Sequence, residues 1–562
     1  MESLKKYLSE HFWILILPLS YFSVKALFVP GFYGASDDLH IAWLFELDHL
    51  IKLGQFPPRF VPDLSFGFGY PLFNFVFPLP FYIGEIFHLF GLNFVDSIKT
   101  AFLLSVPLSG IFMYQFLKSF TSKLLSLAGA VIYMYTPYRS TDIYIRGAIG
   151  EIIAFVFLPL IALSVVNLSA ENSSSKLSLN FRWIGIGALS LAALILTHNI
   201  TAYMFLPFIF ILAIVRLIVF KRILNNLLNL FVSFLLGLLI SLYFWFPAIL
   251  DSSLMKYDTV FNFVDHFPTL QQLIIPYWGY GASVPGPNDG MSFYIGSVSL
   301  MILIVGLLLI ILMWKKFSNN QKIITCWAGT SFLIAFLMMN FRSIFIWQNV
   351  PLIPYFQFPW RFLIITTFMV PVFVIVFDKI KYKGFIALVI IFLSLVTNFN
   401  DFHPHDNLGR TDNYYLNNYI PLPTASKDYS LLHEEYLRLP VGTISRPDKN
   451  YPRVFPQTDQ VKEVIEVDSL TTLIKTQSNE KFTINYNKYY FPGWYAKIDN
   501  QETEISAGDP FGQIQLNIPS GQHEVKIGFR ETPFKLFADI VSLSAFIVTM
   551  YLIFGLKEFK KI

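Results

Sequence analysis

YPLFNFVFPLPFYIGEIFHLFGL, residues 70–92, is the stretch on which the fold turns. It is apolar enough to pass for a membrane crossing. If it crosses, every later loop changes sides. Yet it carries Pro71, Pro78, Pro80, Glu85 and His88. A proline inside a helix removes a backbone hydrogen bond, and an ionisable group facing lipid is costly. The stretch therefore reads as a re-entrant or interfacial segment on the outer face.

The rest of the chain supplies the crossings. A spanning helix needs roughly 20 mostly apolar residues. Twelve runs approach that: 11–30, 97–117, 123–138, 147–168, 182–198, 201–220, 226–248, 292–314, 321–339, 361–378, 384–398 and 534–555. The composition agrees. Of 562 residues, 54% are hydrophobic and 14% charged, and 60 are Phe. A soluble domain carries about 25% charged residues, so this chain cannot cover a soluble globule. A disordered chain and a disulfide scaffold are excluded too. The single cysteine, Cys326, lies in a run and can form no intramolecular disulfide. The first run follows Lys5 and Lys6 without a small-residue cleavage site, which reads as a retained signal anchor.

Charge placement tests the count, because cytoplasmic loops collect Lys and Arg. With the N-terminus inside, the inner loops hold Lys5/Lys6, Lys118/Lys123, Lys176/Arg182, Lys221/Arg222, Lys315/Lys316/Lys322, Lys379/Lys381/Lys383 and Lys557/Lys560/Lys561. The outer loops hold Asp37, Asp38, Asp48, Asp63, Asp142, Asp251, Asp258 and Asp265. Between Asp401 and Glu531 the net charge is −5, and the remainder carries +9. That basic excess is a topology signal, not a nucleic-acid footprint. The expected plan is a multi-pass plasma-membrane protein with both termini cytoplasmic. A polytopic domain over 1–398, with an outer loop at 31–96, precedes an extracytoplasmic segment at 399–533. A last span and a basic tail complete it at 534–562.

The outer segment at 399–533 reads as irregular to about 460 and β-rich from about 480. Expected strands are 481–486, 494–499, 502–506, 513–518 and 524–529. Gln513, Gln515 and Asn517 alternate with Ile514, Leu516 and Ile518, the half-buried strand pattern. A small antiparallel β-sandwich follows. The fold class is thus mainly α membrane protein with an outer C-terminal β-sandwich.

Chemistry gathers in the outer loops. The first opens with Gly34-Ala-Ser-Asp37-Asp38-Leu-His40. Adjacent carboxylates beside a histidine can hold a divalent cation (Mg or Mn) or take a proton from a substrate hydroxyl. The plainer reading is a helix cap by Ser36 or Asp37. Arg59 follows in the same loop. Tyr138-Arg139-Ser-Thr-Asp142-Ile-Tyr144-Ile-Arg146-Gly-Ala-Ile-Gly-Glu151 lies on the same expected face. Arg139 and Arg146 suit phosphate. Glu151, about one turn inside a span, is either functional or one half of an ion pair with Arg146. His198 marks another outer turn, where a cap or a core hydrogen bond is the commoner role. Arg361, in Phe358-Pro-Trp-Arg361, suits a lipid phosphate or an interfacial belt. No Walker loop, Rossmann fingerprint, CxxC or HExxH occurs. An outer-face enzyme without ATP needs a substrate that arrives activated, and a lipid-linked phosphosugar fits.

Several markers in order carry a family likeness: Asp37-Asp38, the stretch from Leu53 to Arg59, and Gly67-Phe-Gly-Tyr-Pro-Leu-Phe73. Arg146-Gly-Ala-Ile-Gly-Glu151, Thr197-His-Asn199, Pro359-Trp-Arg361 and Tyr490-Phe-Pro-Gly-Trp494 follow. With these the chain resembles the GT-C superfamily of polyprenyl-phosphate-sugar glycosyltransferases. More closely it resembles bacterial membrane proteins labelled "6-pyruvoyl-tetrahydropterin synthase-related", near the YfhO-type proteins. The zinc-histidine spacing of the soluble pterin enzyme has no counterpart here.

The resemblance implies a GT-C-like arrangement and an outer-face site. It makes Asp37 or Asp38 the catalytic base or metal ligand, and Arg139, Asp142, Arg146 and Glu151 the metal and phosphate cluster. His40, Arg59, His198 and Arg361 complete the expected substrate contacts. The expected partners are the bilayer, a polyprenyl-phosphate sugar donor and an envelope polysaccharide, lipid or protein acceptor. A lipid or glycan transporter and a non-catalytic glycan-binding protein are the competing readings.

Overall fold

The computed structural model describes residues 11–169, 179–220, 223–256, 262–421, 429, 437–456 and 458–555. The basic residues Lys5, Lys6, Lys176, Lys221, Arg222, Lys557, Lys560 and Lys561, and Asp258, lie outside the described residues.

The chain is mostly helical, and each of the twelve apolar runs coincides with a helix. In chain order the helices used below are α1 (Ile16–Val24), α2 (His40–Lys52), α3 (Leu79–Leu89), α4 (Phe94–Lys118), α5 (Lys123–Tyr135) and α6 (Ile149–Leu168). There follow α7 (Phe181–Thr197), α8 (Asn199–Phe220), α9 (Ile223–Ile240), α10 (Leu242–Asp251), α11 (Ser297–Leu312) and α12 (Asn319–Met338). Last come α13 (Pro359–Lys379), α14 (Lys383–Thr397), α15 (Asp412–Tyr419) and α16 (Pro533–Phe554).

Among the described residues six helices are long and apolar enough to cross a membrane: α4, α6, α8, α12, α13 and α16. A seventh is obtained if α9 and α10, bent by 64°, form one broken span. Five of the twelve runs form shorter apolar helices, so length alone does not yield twelve crossings. Local sequence sets the ends. Asn93 caps α4 by accepting from the Asp96 amide at 2.7 Å. Ser318 and Gln321 form a capping box at the start of α12.

The stretch 70–92 contains no helix of spanning length. It breaks at Pro78 into one turn (Leu72–Phe75) and the 11-residue α3. At 1.5 Å per residue α3 reaches about half the hydrocarbon thickness.

α6 and α13 are the best-covered spans, with 89% and 100% of their central windows buried. α16 is covered over only 22% and turns Leu543 and Ile547 outward. The first two therefore form the middle of the bundle, and the residues at their N-terminal ends are held by a rigid frame.

Among the described residues nine strands form two antiparallel sheets, β1-β4-β8-β7 and β2-β3-β9-β5-β6. They are β1 (Val454–Phe455), β2 (Val461–Asp468), β3 (Thr471–Ser478), β4 (Phe482–Tyr489), β5 (Trp494–Ile498), β6 (Gln501–Thr503), β7 (Ser506–Gly508), β8 (Gln513–Ile518) and β9 (Gly521–Phe529). Ile474, Ile484, Tyr486, Ile514, Leu516, Val525 and Ile527 share the core. Thr472 on β3 hydrogen-bonds Tyr486 on β4 at 2.9 Å, joining the sheets.

The β region thus begins well before residue 480. β2 is exposed along nearly its whole length and studded with charge, as suits an edge strand. In β3 the inward positions are Thr472, Ile474, Thr476 and Ser478, so polarity does not alternate with burial. The segment 31–96 docks on this sandwich. Phe60 packs on Trp494 and Phe529, with ring centroids 5.4 Å away in each case. The Tyr489 amide donates to the Phe68 carbonyl at 2.8 Å.

Candidate functional site

Two backbone hydrogen bonds bring distant loops together. The Ser36 amide donates to the Ile145 carbonyl at 3.0 Å, and the Asp37 amide to the Arg146 carbonyl at 2.7 Å. Residues 141–146 form one wide π turn that ends at Gly147, whose φ is +66°. A Cβ there would come within 3.0 Å of the Ala35 Cβ. Glycine is therefore needed both for the left-handed backbone and for the close approach.

The turn delivers Arg146 against the first turn of α6. Its guanidinium grips Glu151 with two hydrogen bonds, at 2.8 and 2.9 Å, and reaches Asp142 at 2.5 Å. Tyr138 donates to Glu151 at 2.8 Å. Arg361, at the start of α13, brings its Nε to 3.1 Å from the same carboxylate. Trp360 lies under Arg146, 4.8 Å from ring to guanidinium. All of these charged groups are buried. Such a desolvated network is held only because each charge has a counter-charge.

Arg146 is thus held by two carboxylates, and the pair with Glu151 is the structural ion pair the sequence offered beside a phosphate role. Arg361 is less fully used. Its Nη1 donates to Gln357 and to the Phe356 carbonyl, and among the described residues no hydrogen-bond partner is found for its Nη2. Asp37 is half-buried and, among the described residues, accepts no hydrogen bond at its carboxylate and has no cation within ion-pair distance. Its field reaches Arg361 and His40.

His40 and His198 close the other side. His40 packs edge-on against Trp43 and Phe81, and its Nδ1 is buried without a partner. Burial pushes its pKa down to about 4, against the pull of Asp37. His198 joins α7 to α8, and its Nδ1 pairs with Thr201 at 2.7 Å. A Cβ on Gly150 would sit 2.8 Å from the His198 ring. His198 interacts electrostatically with Glu151, Arg361 and His40. Seven expected residues therefore converge: Asp37, His40, Asp142, Arg146, Glu151, His198 and Arg361.

Three do not join them as expected. Asp38 forms an ion pair with Arg410 at 2.7 Å and accepts a hydrogen bond from Tyr419. Burial raises its pKa, with Tyr419 and Arg410 opposing. Both oxygens are thereby engaged, so Asp37 and Asp38 do not offer the paired open carboxylates a shared cation requires. Arg59 is buried and tied to Asp539 at 2.6 Å, Glu531 at 3.3 Å and the Tyr243 carbonyl at 2.7 Å. It locks the segment before α3 to α16. Arg139 lies 4.3 Å over the Phe155 ring, buried, and among the described residues none of its guanidinium nitrogens reaches a hydrogen-bond partner. Burial closes it to substrate.

Sequence reasoning left Tyr138, Trp360, Arg410 and Tyr419 without roles. The first two sit beside assigned residues in quoted motifs. The last two lie more than 370 residues from Asp38, beyond any local signal.

No family model matches the chain, and no solved structure matches it. A protein of Lactococcus lactis subsp. cremoris (strain MG1363), described only as uncharacterized, is 26% identical over 215 residues. That match covers 37% of this chain and 34% of the relative. The chain therefore spans about a third of the relative it matches.

Proposed function

We propose that this chain is a GT-C-like membrane glycosyltransferase with twelve crossings, counting the shorter apolar helices. Both termini face the cytoplasm, and the charged cluster and β-sandwich face outward. It transfers a sugar from a polyprenyl-phosphate donor to an envelope polysaccharide, lipid or protein. The observation that carries this reading is the Asp37 carboxylate, unpaired among the described residues and within electrostatic reach of Arg361, next to a buried ion-paired cluster.

In this reading Asp37 accepts the proton of the acceptor hydroxyl. The acceptor oxygen bonds to the sugar's anomeric carbon as the bond from that carbon to the phosphate oxygen breaks. The electron pair leaves with the polyprenyl phosphate, whose charge faces Nη2 of Arg361. Asp142, Glu151 and Tyr138 hold Arg146 as a fixed strut beneath. His40 and His198 wall the site as neutral rings. No step is routed through a metal, because Asp38 is engaged elsewhere.

The test is transfer itself. Membranes containing the chain are incubated with labelled polyprenyl-phosphate sugars. Label appearing in an envelope acceptor, with release of polyprenyl phosphate, supports the reading. Donor that crosses the bilayer intact, or glycan that binds without reacting, replaces it with the transporter or the glycan-binding reading.

A further inference from the structure

A second cluster stands further along α2, on the order of 10 Å from the Asp37 site at 1.5 Å per residue. Glu46 and His49 are three residues apart and so share one helix face. Glu-x-x-His pairs of this spacing hold metal ions in helix bundles. Asp63, from the loop that docks on the sandwich, faces them. One ligand atom from each of the three lies within 4.8 Å of the others.

Glu46 is the telling member. Its side chain is fully buried, at 0% exposure, and among the described residues neither carboxylate oxygen has a hydrogen-bond partner. The Asp63 amide faces it without completing a hydrogen bond. No cation stands within ion-pair distance among the described residues. The nearby Lys488 instead donates to the Pro62 carbonyl at 2.9 Å. A buried carboxylate with no partner is expensive, and here it points at two further ligand groups.

His49 is oriented as a ligand would be. Its Nε2 lies 3.1 Å from the Ser469 hydroxyl, on the turn between β2 and β3. Its Nδ1–H donates to Asp63 Oδ2 at 2.7 Å, and on binding an ion Nδ1 would give up that proton while Nε2–H turns to donate to Ser469. An outer partner that fixes the second ring nitrogen is the usual support for a metal-bound histidine. His49 and Asp63 keep side-chain exposures of 25% and 19%, which leaves an entry path.

We infer that Glu46, His49 and Asp63 bind a divalent transition-metal ion such as Mn2+ or Zn2+, which clamps α2 and the loop after it to the β-sandwich. One imidazole with two carboxylates suits these ions, whereas Ca2+ and Mg2+ favour all-oxygen sites. Small side-chain rotations bring the three atoms onto one ion at about 2.0–2.2 Å. The site is structural and does not depend on the transfer reading.

The full chain in detergent is stripped with EDTA and reloaded with Mn2+ or Zn2+. Metal content and melting temperature are then measured. Near-stoichiometric metal and a raised melting temperature are expected for the wild type and for Asp37→Asn. Glu46→Gln, close to isosteric, is expected to fold, to bind at least tenfold more weakly and to lose the metal-dependent shift. The Mn2+ spectrum of the loaded wild type, read by electron paramagnetic resonance, is expected to show nitrogen coupling, which His49→Gln removes. A wild type that takes up neither metal overturns the inference, as does an unchanged metal-dependent shift in Glu46→Gln.

Discussion

Among the described residues Asp37 keeps an unpaired carboxylate, while its neighbour Asp38 commits both oxygens to Arg410 and Tyr419. The same division separates the arginines. Arg146 is held by two carboxylates, whereas Arg361 meets one carboxylate and, among the described residues, its Nη2 has no hydrogen-bond partner. Arg146→Gln leaves Asp142 and Glu151 short of a counter-charge and is expected to cost about 3–5 kcal/mol of stability, read as a large drop in folded protein. Arg361→Lys is expected to spare the fold and raise KM for the phosphorylated donor about tenfold. His40 adds a pH signature. Its folded pKa of about 4 lies below the unfolded value of 6.5, so the unfolded chain takes up the proton first. Stability contributed by the neutral ring is present above pH 6.5 and is lost as pH falls towards 4. The total is at most about 3 kcal/mol. Melting curves between pH 7 and 4 are expected to fall less steeply for His40→Gln than for wild type.

At the scale of elements, the turn at 141–147 and the helix α15 do the positioning. Gly147→Ala forces a side chain into a left-handed backbone against Ala35, and is expected to cost roughly 1–2 kcal/mol or more. Asp38→Asn loosens α15 from the first loop. Hydrogen exchange is expected to quicken across Asp412–Tyr419 while the α6 amides stay protected. These elements also mark what the sequence could tell. Asp142, Arg146 and Glu151 were legible because their partners lie within five residues and because ionisable groups at a span end need counter-charges. The partners of Asp38 and Arg59 were not, since tertiary folding alone brings Arg410, Tyr419, Glu531 and Asp539 to them. β2 and β3 escaped notice because an exposed charged edge and a Thr-rich inward face both blur the period-two pattern.

Over the whole molecule, hydrophobic runs located every apolar helix but could not fix which of them cross. α5, α7, α11 and α14 are short, and only helices of spanning length identify themselves. The positive-inside pattern is what argues for counting them as crossings in the proposed topology. In a Cys326→Ser background, Ser520→Cys on the sandwich is expected to react with an impermeant maleimide on intact cells. Lys316→Cys is expected to react only after permeabilisation. The opposite pattern would invert the orientation and place the charged cluster in the cytoplasm. Within the proposed orientation, the division of labour between the two adjacent aspartates carries the chemistry. Sugar transfer per folded molecule is therefore measured for Asp37→Asn and Asp38→Asn in the same membranes. A loss of about a hundredfold or more for Asp37→Asn, with Asp38→Asn near wild type, is the expected result. Full activity in Asp37→Asn, or an equal loss in both, would contradict the assignment.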